Sequence, residues 1–458
     1  MRGRPRGAFT LQEGEPRKKR IDWSSLYRKE DWWAVWLGLL ILVLSVPSYL
    51  GVYVMGWDPA AVSWTSIASA LSARSLNPWA GLALSFFFIA LLLVPATRAN
   101  GVRTRDWLKG FAIIFLLSWA VWIVANYSPV VKAMGSPEVG FVFALVAGIA
   151  IANLTEVPRW LLDSARVELF IKVAIVLLGA KILLTTFATS AGGILLAVFL
   201  SFPAVWLFAF FTSRRSGLDR DLSATLSSGV GVCGIAASIA TAAAIDAPPI
   251  YASLMSSVIV VFSAVEIIAM PFLAAAVFPG HYQAAGVWMG LSVKTDGAAS
   301  ASGSVVDGLL NANGSSLAAA VQTKVMIDIW IGLIAFVLAT VWAYKFGRKT
   351  GEGRSPRVVW YRFPKFVLGY FAASALITAI ALTYPTAAAG AKAVAPIISS
   401  GTDPLRTIFF AFTFLSIGLN TKFSKFREIG IGKPALIYGV SLAFAILWGG
   451  VVAYLIFG

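Results

Sequence analysis

The sequence predicts an all-α protein that passes through a membrane many times, and two observations support this class. Of the 458 residues, 59% are hydrophobic and only 13% are charged, whereas soluble domains are about 45–50% apolar and about a quarter charged. The apolar residues also gather in long runs, and a helix needs about 20 such residues to cross the roughly 30 Å hydrocarbon core of a bilayer. A chain of this composition has lipid as its solvent.

Thirteen stretches have the length and apolar character of a membrane-crossing helix, although several contain glycine or polar interruptions. For one of them, 284–312, the sequence allows either a crossing helix or a re-entrant hairpin. The stretches are 33–55, 79–97, 108–126, 138–153, 168–187, 191–212, 222–245, 251–278, 284–312, 316–345, 366–385, 404–420 and 434–457.

The basic residues behind the net charge of +16 concentrate in the N-terminal tail and in alternate loops, around 98–109, 214–220, 345–365 and 422–433. Cytoplasmic loops of membrane proteins carry such an excess of Lys and Arg. The pattern predicts a multi-pass protein of the cell membrane with a cytoplasmic N-terminus, and it puts the loop 246–250 outside. Contact with anionic membrane lipid explains the charge, so no nucleic-acid partner is needed.

Enzymatic and metal chemistry find little support in the residue types present. The single cysteine, Cys233, excludes an internal disulfide framework, and the single histidine, His281, excludes a multi-histidine zinc site. No HExxH, P-loop or GxSxG pattern occurs. We therefore expect no catalytic residue, no cofactor and no metal site.

A weak internal similarity predicts an inverted repeat. The segment 176–187 resembles 415–426, and the charge pattern gives the two opposite directions through the membrane. Repeats of inverted topology are common in secondary transporters. Chance similarity between Gly- and Leu-rich helices is the alternative.

The glycine-rich stretch 229–240 is the first candidate for chemistry. Three glycines within six residues weaken a helix by roughly 1 kcal/mol each, and in lipid a broken helix is tolerated where its free amides meet protein, water or a ligand. The functional hypothesis is a discontinuous helix whose N–H groups hold an anion; close packing of helices through small residues is the alternative. The candidate substrate-binding residues are Gly231, Cys233, Gly234 and Ser238.

The second candidate stretch, 290–303, is small, polar and doubly charged between two apolar runs. Lys294 and Asp296 each cost several kcal/mol in hydrocarbon. We predict that Lys294, Thr295 and Ser300 help bind an anion and that Asp296 binds H⁺ or Na⁺. A structural ion pair or a short cytoplasmic loop is the alternative.

Six further charges lie inside apolar stretches, namely Lys172, Lys181, Glu266, Asp307, Lys324 and Asp328. Glu266 is either a second coupling residue or a hydrogen-bonded packing residue. Lys324 and Asp328 are four residues apart, which favours an ion pair on one helix face.

Five short motifs resemble the YeiH-like family of bacterial and archaeal membrane proteins, to which sulfate export is ascribed. The motifs occur in the family's order and cover roughly 138–458. They are Lys172–Gly179, Gly217–Leu222, Val232–Gly234, Gly286–Val293 and Ile417–Thr421.

The resemblance implies a fold similar to bile-acid–sodium symporters and cation–proton antiporters, with two discontinuous helices that cross at mid-membrane. It divides the chain into a basic cytoplasmic tail (1–31), an N-terminal transmembrane extension (32–137) and a transporter core (138–458). The chain departs from the family where Lys294-Thr295-Asp296 replaces His-Asp-Thr. After Lys324 the family carries an arginine, whereas this chain has Asp328, and these changes bear on the anion specificity.

Together these features predict a secondary active transporter that moves a small anion, sulfate or an organosulfonate, by alternating access coupled to H⁺ or Na⁺. A cation–proton antiporter that uses Asp296 and Glu266 as ligands is the first alternative. A passive channel or a membrane protein without transport activity is the alternative from another class. A homodimer is one assembly that the sequence allows.

Overall fold

The computed structural model describes residues 29–52, 78–130, 140–181, 183–346, 363–422 and 432–458, with the isolated residues 26, 54, 64, 65 and 424. Over these residues the chain is almost entirely helical, and a single bridge between Trp64 and Tyr127 is the only β contact. The predicted all-α class is confirmed. The predicted basic tail lies outside the described residues except for residues 26 and 29–31.

The helices are numbered here in chain order. A 3-10 turn, Val46–Leu50, continues α1, and a π turn, Ile398–Thr402, joins α15 to α16. The α-helices are α1 Glu30–Ser45, α2 Pro78–Ala99, α3 Thr104–Ala125, α4 Gly140–Leu154, α5 Arg159–Ser164, α6 Val167–Gly179, α7 Leu184–Arg215, α8 Arg220–Gly231, α9 Ile235–Ala244, α10 Pro249–Val277, α11 Tyr282–Ser292, α12 Asp296–Leu310, α13 Ser315–Phe346, α14 Phe366–Ala381, α15 Ala387–Ile397, α16 Asp403–Asn420 and α17 Lys433–Phe457.

Seven helices in the described part are long and apolar enough to cross a membrane, judged by length and composition, and shorter apolar helices accompany them. The seven lie within α1 with its 3-10 turn, α2, α3, α7, α10, α13 and α17. Each of the thirteen predicted stretches coincides with at least one helix, which confirms a polytopic helical membrane protein. The short helices α5 and α15 fall between the predicted stretches.

The seventh predicted stretch is broken into α8 and α9, which fold back on each other as a hairpin (hairpin A). The Ser238 Oγ donates a hydrogen bond across the hairpin to the carbonyl oxygen of Thr225, at 3.1 Å. Both ends of the hairpin lie beside Trp342, near the end of α13. The indole Nε1 of Trp342 donates to Asp221 Oδ1 at 2.7 Å, and Ile245 packs in the same apolar cluster.

The ninth stretch is a second re-entrant hairpin (hairpin B), formed by α11 and α12. Both of its ends lie at the start of α13. Ser316 Oγ donates to the carbonyl oxygen of Tyr282 at 3.0 Å, and the Ser316 amide donates to Asp307 Oδ1 at 2.7 Å. A Cβ on Gly290 of α11 would lie 2.5 Å from the Cβ of Thr323 on α13. Glycine at this position therefore allows the close helix contact that holds the hairpin against α13.

The tips of the two hairpins meet inside the bundle. The hairpins start from opposite ends of α13, a helix of 32 residues and hence about 48 Å long. At the tip of hairpin A, Gly234 has a φ of +73°, and a Cβ there would lie 2.7 Å from the carbonyl oxygen of Lys294 at the tip of hairpin B. Only glycine accepts this left-handed conformation without strain and also leaves room for the other tip.

The two hairpins correct the predicted path of the chain. The sequence predicts a crossing for 222–245 and either a crossing or a re-entrant hairpin for 284–312, whereas both segments return to the end from which they start. The loop 246–250 therefore lies beside Trp342 and the basic loop 214–220, so the prediction that these two loops lie on opposite sides is wrong. Because hairpin B also returns to its starting end, two predicted crossings are lost in all. The loops after hairpin B therefore keep their predicted sides. The cytoplasmic position of the N-terminus stays a prediction.

The described helices pack as two bodies. The hairpin body contains residues 183–346 and 432–458, which comprise α7 to α13 and α17. The frame contains the described residues between 29 and 181 and those of 363–422, which comprise α1 to α6 and α14 to α16. The main direct helix contacts between the bodies are those of α12 with α4, α6 and α16, and of α7 with α14.

Polar contacts tie α1 into the frame. Lys172 Nζ of α6 lies 2.8 Å from Asp31 Oδ1, the Lys365 amide donates to Asp31 Oδ2 at 3.2 Å, and Arg166 pairs with Glu30. The end of the bundle at which α1, α6 and α14 begin is called the basic end. The other end is called the opposite end. The division of the chain at residue 137 stays a prediction.

The predicted inverted repeat agrees with the directions of the helices concerned. α6 runs from the basic end, whereas α16 runs towards it, in parallel with α4: Gly148 packs on Gly418, and Asn153 Nδ2 donates to the Thr421 carbonyl oxygen at 2.9 Å. The second repeat segment extends beyond the described residues after Lys422. The repeat itself stays a prediction.

The hairpin topology predicts that His281→Cys and Asn313→Cys react with a membrane-impermeant maleimide from the same side. Both residues lie at the base of hairpin B and are exposed. Asp246→Cys, at the base of hairpin A, should react from the other side. Labelling of intact cells and inverted vesicles measures this, and reaction of His281→Cys and Asn313→Cys from different sides would mean that the segment crosses the membrane.

The tip contact predicts that Gly234→Ala destabilises the protein by about 1–3 kcal/mol, because the left-handed backbone and the neighbouring carbonyl both oppose a Cβ. Thermal unfolding of the detergent-purified protein measures the change. Gly192→Ala is the matched control: no heavy atom lies within 4 Å of its Cβ position in α7, so the substitution should stabilise by up to about 1 kcal/mol. Equal stability of the two variants would contradict the role of the tip contact.

Candidate functional site

Five charged side chains surround the point where the hairpin tips meet. Glu266 comes from α10, Lys294 and Asp296 from the tip of hairpin B, and Lys324 and Asp328 from α13. Four of them are 4% exposed or less, and Asp296 is half-buried. Ionisable groups inside a membrane bundle are costly and are found mainly at functional sites. We call this group the central cluster.

Lys294 is held by its own hairpin and by α10. Its Nζ donates a hydrogen bond to the carbonyl oxygen of Leu291 at 2.7 Å, and its amide donates to Glu266 Oε2 at 3.3 Å. Glu266 therefore fixes the broken backbone at the tip of hairpin B. The Lys294 ammonium satisfies a carbonyl that the helix break leaves without its intrahelical partner.

Three groups converge on the other side of the tips. The Cys233 Sγ, a carboxylate oxygen of Asp296 and a carboxylate oxygen of Asp328 all lie within 4.8 Å of one another. Asp296 Oδ1 and both Asp328 oxygens are buried without a hydrogen-bond partner. Two carboxylates at this separation repel each other unless a proton or a cation lies between them. The expectation of no metal site stays a prediction, because this trio offers three ligand atoms.

Lys324 carries a buried ammonium, 1% exposed, whose Nζ has no hydrogen-bond partner. No ion pair within 4 Å joins it to Asp328 in the described part of the chain, so the predicted i, i+4 pair is wrong. Helix spacing makes such a pair possible, but here the Asp328 oxygens lie near Cys233 and Asp296 instead. The Lys324 Nζ therefore lies in the central cluster without a hydrogen-bond partner among the described residues.

The predicted residues of hairpin A separate into two groups. Cys233 and Gly234 lie at the tip, in the central cluster. Gly231 packs on α7, where a Cβ would lie 3.3 Å from the Trp206 Cβ. Ser238 uses its hydroxyl to join the two arms of the hairpin.

The predicted residues of hairpin B cap and brace the start of α12. Thr295 Oγ1 accepts a hydrogen bond from the Ala298 amide at 3.2 Å, as an N-cap residue does. Ser300 Oγ donates to the carbonyl oxygen of Asp296 at 2.7 Å within the same helix. Both residues therefore set the position of Asp296, the first residue of α12.

Two helix N-termini point into the region of the central cluster, because α9 begins at Ile235 and α12 begins at Asp296. Each N-terminus carries a partial positive charge of about half an elementary charge. Such ends bind anions through their free amides. The cluster therefore combines two buried ammonium groups and two helix N-termini with three carboxylates.

Sequence reasoning named Lys294, Asp296 and Glu266 as site residues, and the structure brings these three together, but it did not group Lys324 and Asp328 with them. The signal was present, since both are charged residues in an otherwise apolar helix of 32 residues. Their four-residue spacing favoured a local ion pair, and nothing in the sequence shows that α13 lies beside both hairpin tips.

Comparisons with known proteins support a membrane family. The family model described as conserved hypothetical protein 698 matches residues 109–438. A UPF0324 membrane protein of Nitrosomonas europaea is 34% identical over 92% of this chain and 93% of its own length. Another, from Rhodopirellula baltica, is 31% identical over 86% of this chain and 70% of its own length.

No solved structure matches the chain, so the expected likeness to bile-acid–sodium symporters and cation–proton antiporters stays a prediction, as does the link to sulfate exporters. Hairpins that meet at their tips take the place of the crossing helices which that likeness implies. The family model covers more than half of the chain, and the Nitrosomonas europaea protein aligns over nearly all of it. The chain belongs to the conserved hypothetical protein 698 family of UPF0324 membrane proteins.

Proposed function

We propose that the chain is a secondary active transporter that moves a small anion, sulfate or an organosulfonate, by alternating access coupled to H⁺ or Na⁺. The observation that carries this proposal is the meeting of two opposed hairpin tips at a buried charged cluster. Non-helical backbone at membrane depth is tolerated where it is buried in protein or lines a water-filled cavity. Broken helices near the bilayer midplane are a common way to build a transport site.

Lys324 is the best candidate for the charge that attracts the anion. Lys294, the residue expected from sequence, donates its ammonium to the Leu291 carbonyl oxygen, whereas the Lys324 Nζ has no hydrogen-bond partner. The N-terminus of α12 adds partial positive charge nearby. An anion held there accepts hydrogen bonds from Lys324 and from the first amides of α12.

The charge balance of the cluster supports coupling to a cation. Two ammonium groups face three carboxylates, so the cluster does not attract an anion while all five groups are ionised. A proton or Na⁺ at the pair Asp296 and Asp328 removes that obstacle. The predicted coupling residue Asp296 keeps its role in this proposal, whereas Glu266 serves mainly to hold the Lys294 amide.

We predict that Lys324→Gln lowers sulfate counterflow in proteoliposomes by at least about tenfold, which corresponds to roughly 1.4 kcal/mol of lost interaction with the anion. The exposed Lys392→Gln, at the opposite end, is the matched control and should keep wild-type flux. Circular dichroism and gel filtration of both variants report folding. Unchanged counterflow in a folded Lys324→Gln variant would remove Lys324 from the site.

We predict that Asp296→Asn abolishes accumulation of sulfate driven by an ion gradient but leaves sulfate exchange at equilibrium measurable. An uncharged amide no longer takes up and releases the coupling ion, whereas the anion contacts persist. Uptake driven by imposed H⁺ or Na⁺ gradients, compared with exchange in the same vesicles, separates the two effects. Gradient-driven uptake at the wild-type level would exclude Asp296 as the coupling residue.

A cation–proton antiporter is the second candidate, and the closeness of Asp296 and Asp328 favours it. Two carboxylates and a sulfur within 4.8 Å of one another offer ligands to a cation. If this is the function, added Na⁺ or K⁺ will change the internal pH of proteoliposomes, and Asp328→Asn will abolish the response. Absence of a pH response together with sulfate counterflow would leave the anion transporter.

A further inference from the structure

A cleft of about 690 Å³ lies between the frame and the hairpin body. Its walls come from both bodies, with Lys181 and Ala391 on the frame side, and Ser190, Ala318 and Gln322 on the side of the hairpin body. The cleft lies at the opposite end of the bundle, because residues from the base of hairpin B also line it.

The cleft leads towards the central cluster along α13. Gln322 lines the cleft, and its Oε1 accepts a hydrogen bond from Ser190 Oγ at 2.9 Å. Lys324 follows two residues later but points to nearly the opposite face of the helix. Leu317, which also lines the cleft, lies on the Lys324 face two turns earlier, about 10 Å along the axis. The cleft therefore ends about two helical turns from the Lys324 side chain.

The cluster is covered from the basic end by hairpin A. Every residue of α8 from Leu222 to Gly231 is buried, and the tip lies against Lys294. The Trp342 indole holds the base of the hairpin through Asp221. The cleft thus opens the bundle towards the cluster from the opposite end, whereas hairpin A lies over the cluster from the basic end.

The packing between the hairpin body and the frame is loose enough for one body to move along the other. α12 carries small residues where it meets the frame, and a Cβ on Gly297 would make ordinary contacts of 3.6–3.8 Å with Ile171, Ile417 and Thr413. Within each body, by contrast, glycines sit against neighbouring backbones at distances that leave no room for a Cβ, as at Gly286 and Gly418. Tight packing holds each body together, whereas looser packing separates them.

We propose that this cleft is the access route of the transported anion from the opposite end, and that the hairpin body moves against the frame to close it and expose the central cluster at the basic end. The inference rests on the proposed transport function. Lys181 lies at the rim of the cleft with 34% of its side chain exposed, and its Nζ is 3.7 Å from Asp403 Oδ2. Because Asp403 also pairs with Arg406 at 2.6 Å, the three side chains together leave one positive charge at the mouth, which attracts anions.

Labelling with a charged, membrane-impermeant methanethiosulfonate tests the access route. Gln322→Cys should react from the opposite end only, and its modification should reduce sulfate counterflow at least tenfold. The native Cys233 is 4% exposed, and treated wild-type protein measures its contribution. Thr383 follows α14 and is exposed at the opposite end of the bundle. Labelling of Thr383→Cys therefore shows which membrane face carries the opposite end in each vesicle preparation. This variant should be modified without loss of flux.

Leu333→Cys is the control on the same helix, because Leu333 is an exposed apolar residue of α13 and should not react with a charged reagent in lipid. Equal labelling of Gln322→Cys from both faces, or no more labelling than Leu333→Cys, would overturn the access route. Labelling from the expected face without loss of flux would also overturn it. If the wild-type protein transports no sulfate, the proposed function fails, while the labelling asymmetry still tests the cleft.

A cross-link tests the movement. Ala318→Cys and Ala391→Cys place one thiol on each wall of the cleft. A bifunctional methanethiosulfonate should join the two thiols through disulfides and stop flux, and a reductant that cleaves the disulfides should restore it. Each single variant, treated identically, should lose less flux than the double variant, because a reagent held on one wall narrows the cleft without joining the two bodies. Full flux in the cross-linked double variant would show that the two walls do not need to move relative to each other.

Discussion

The contact between the two hairpin tips is the feature on which the rest of the structure depends. A helix that breaks inside a membrane leaves amides and carbonyls without partners, and lipid does not supply any. Here two breaks meet: Gly234 lies against the carbonyl of Lys294, the Lys294 amide donates to Glu266, and the Lys294 ammonium satisfies the carbonyl of Leu291. Part of the charge in the membrane thus stabilises the broken backbone, and the rest is available for function.

This division of labour explains why similar residues have different roles. Lys294 and Glu266 are committed to the tip of hairpin B, whereas Lys324 and Asp328 belong to α13, which has no break of its own. Burying an unpaired ammonium or carboxylate costs several kcal/mol, and a structural role would have given these groups hydrogen-bond partners. In the proposed function, Lys324 and Asp328 face the hairpin tips from a continuous helix and bind the transported ions there.

The sequence was sufficient for the class of fold, the positions of the helices and the two breaks, because apolar length and glycine density act locally. It was not sufficient for the direction of the chain after each break. Whether the half-helix that begins at Ile235 continues across the membrane or returns depends on contacts with α13, such as those of Ala244 and Ile245. The grouping of Lys324 with Asp296 likewise depends on packing between elements that are distant in sequence.

The arrangement of the hairpins bears on the two states of the proposed transport cycle, one open at each end of the bundle. Each hairpin is followed by a long helix, α8 to α10 in one case and α11 to α13 in the other, and the two units enter the bundle from opposite ends. The second helix of each hairpin even shares a short pattern, Ala236-Ala237-Ser238 and Ala298-Ala299-Ser300. Because the two units enter from opposite ends with a similar outline, exchanging their surroundings would turn a cleft at one end into a cleft at the other. In the proposed transport cycle, alternating access then needs no new fold, only a second position of the hairpin body on the frame.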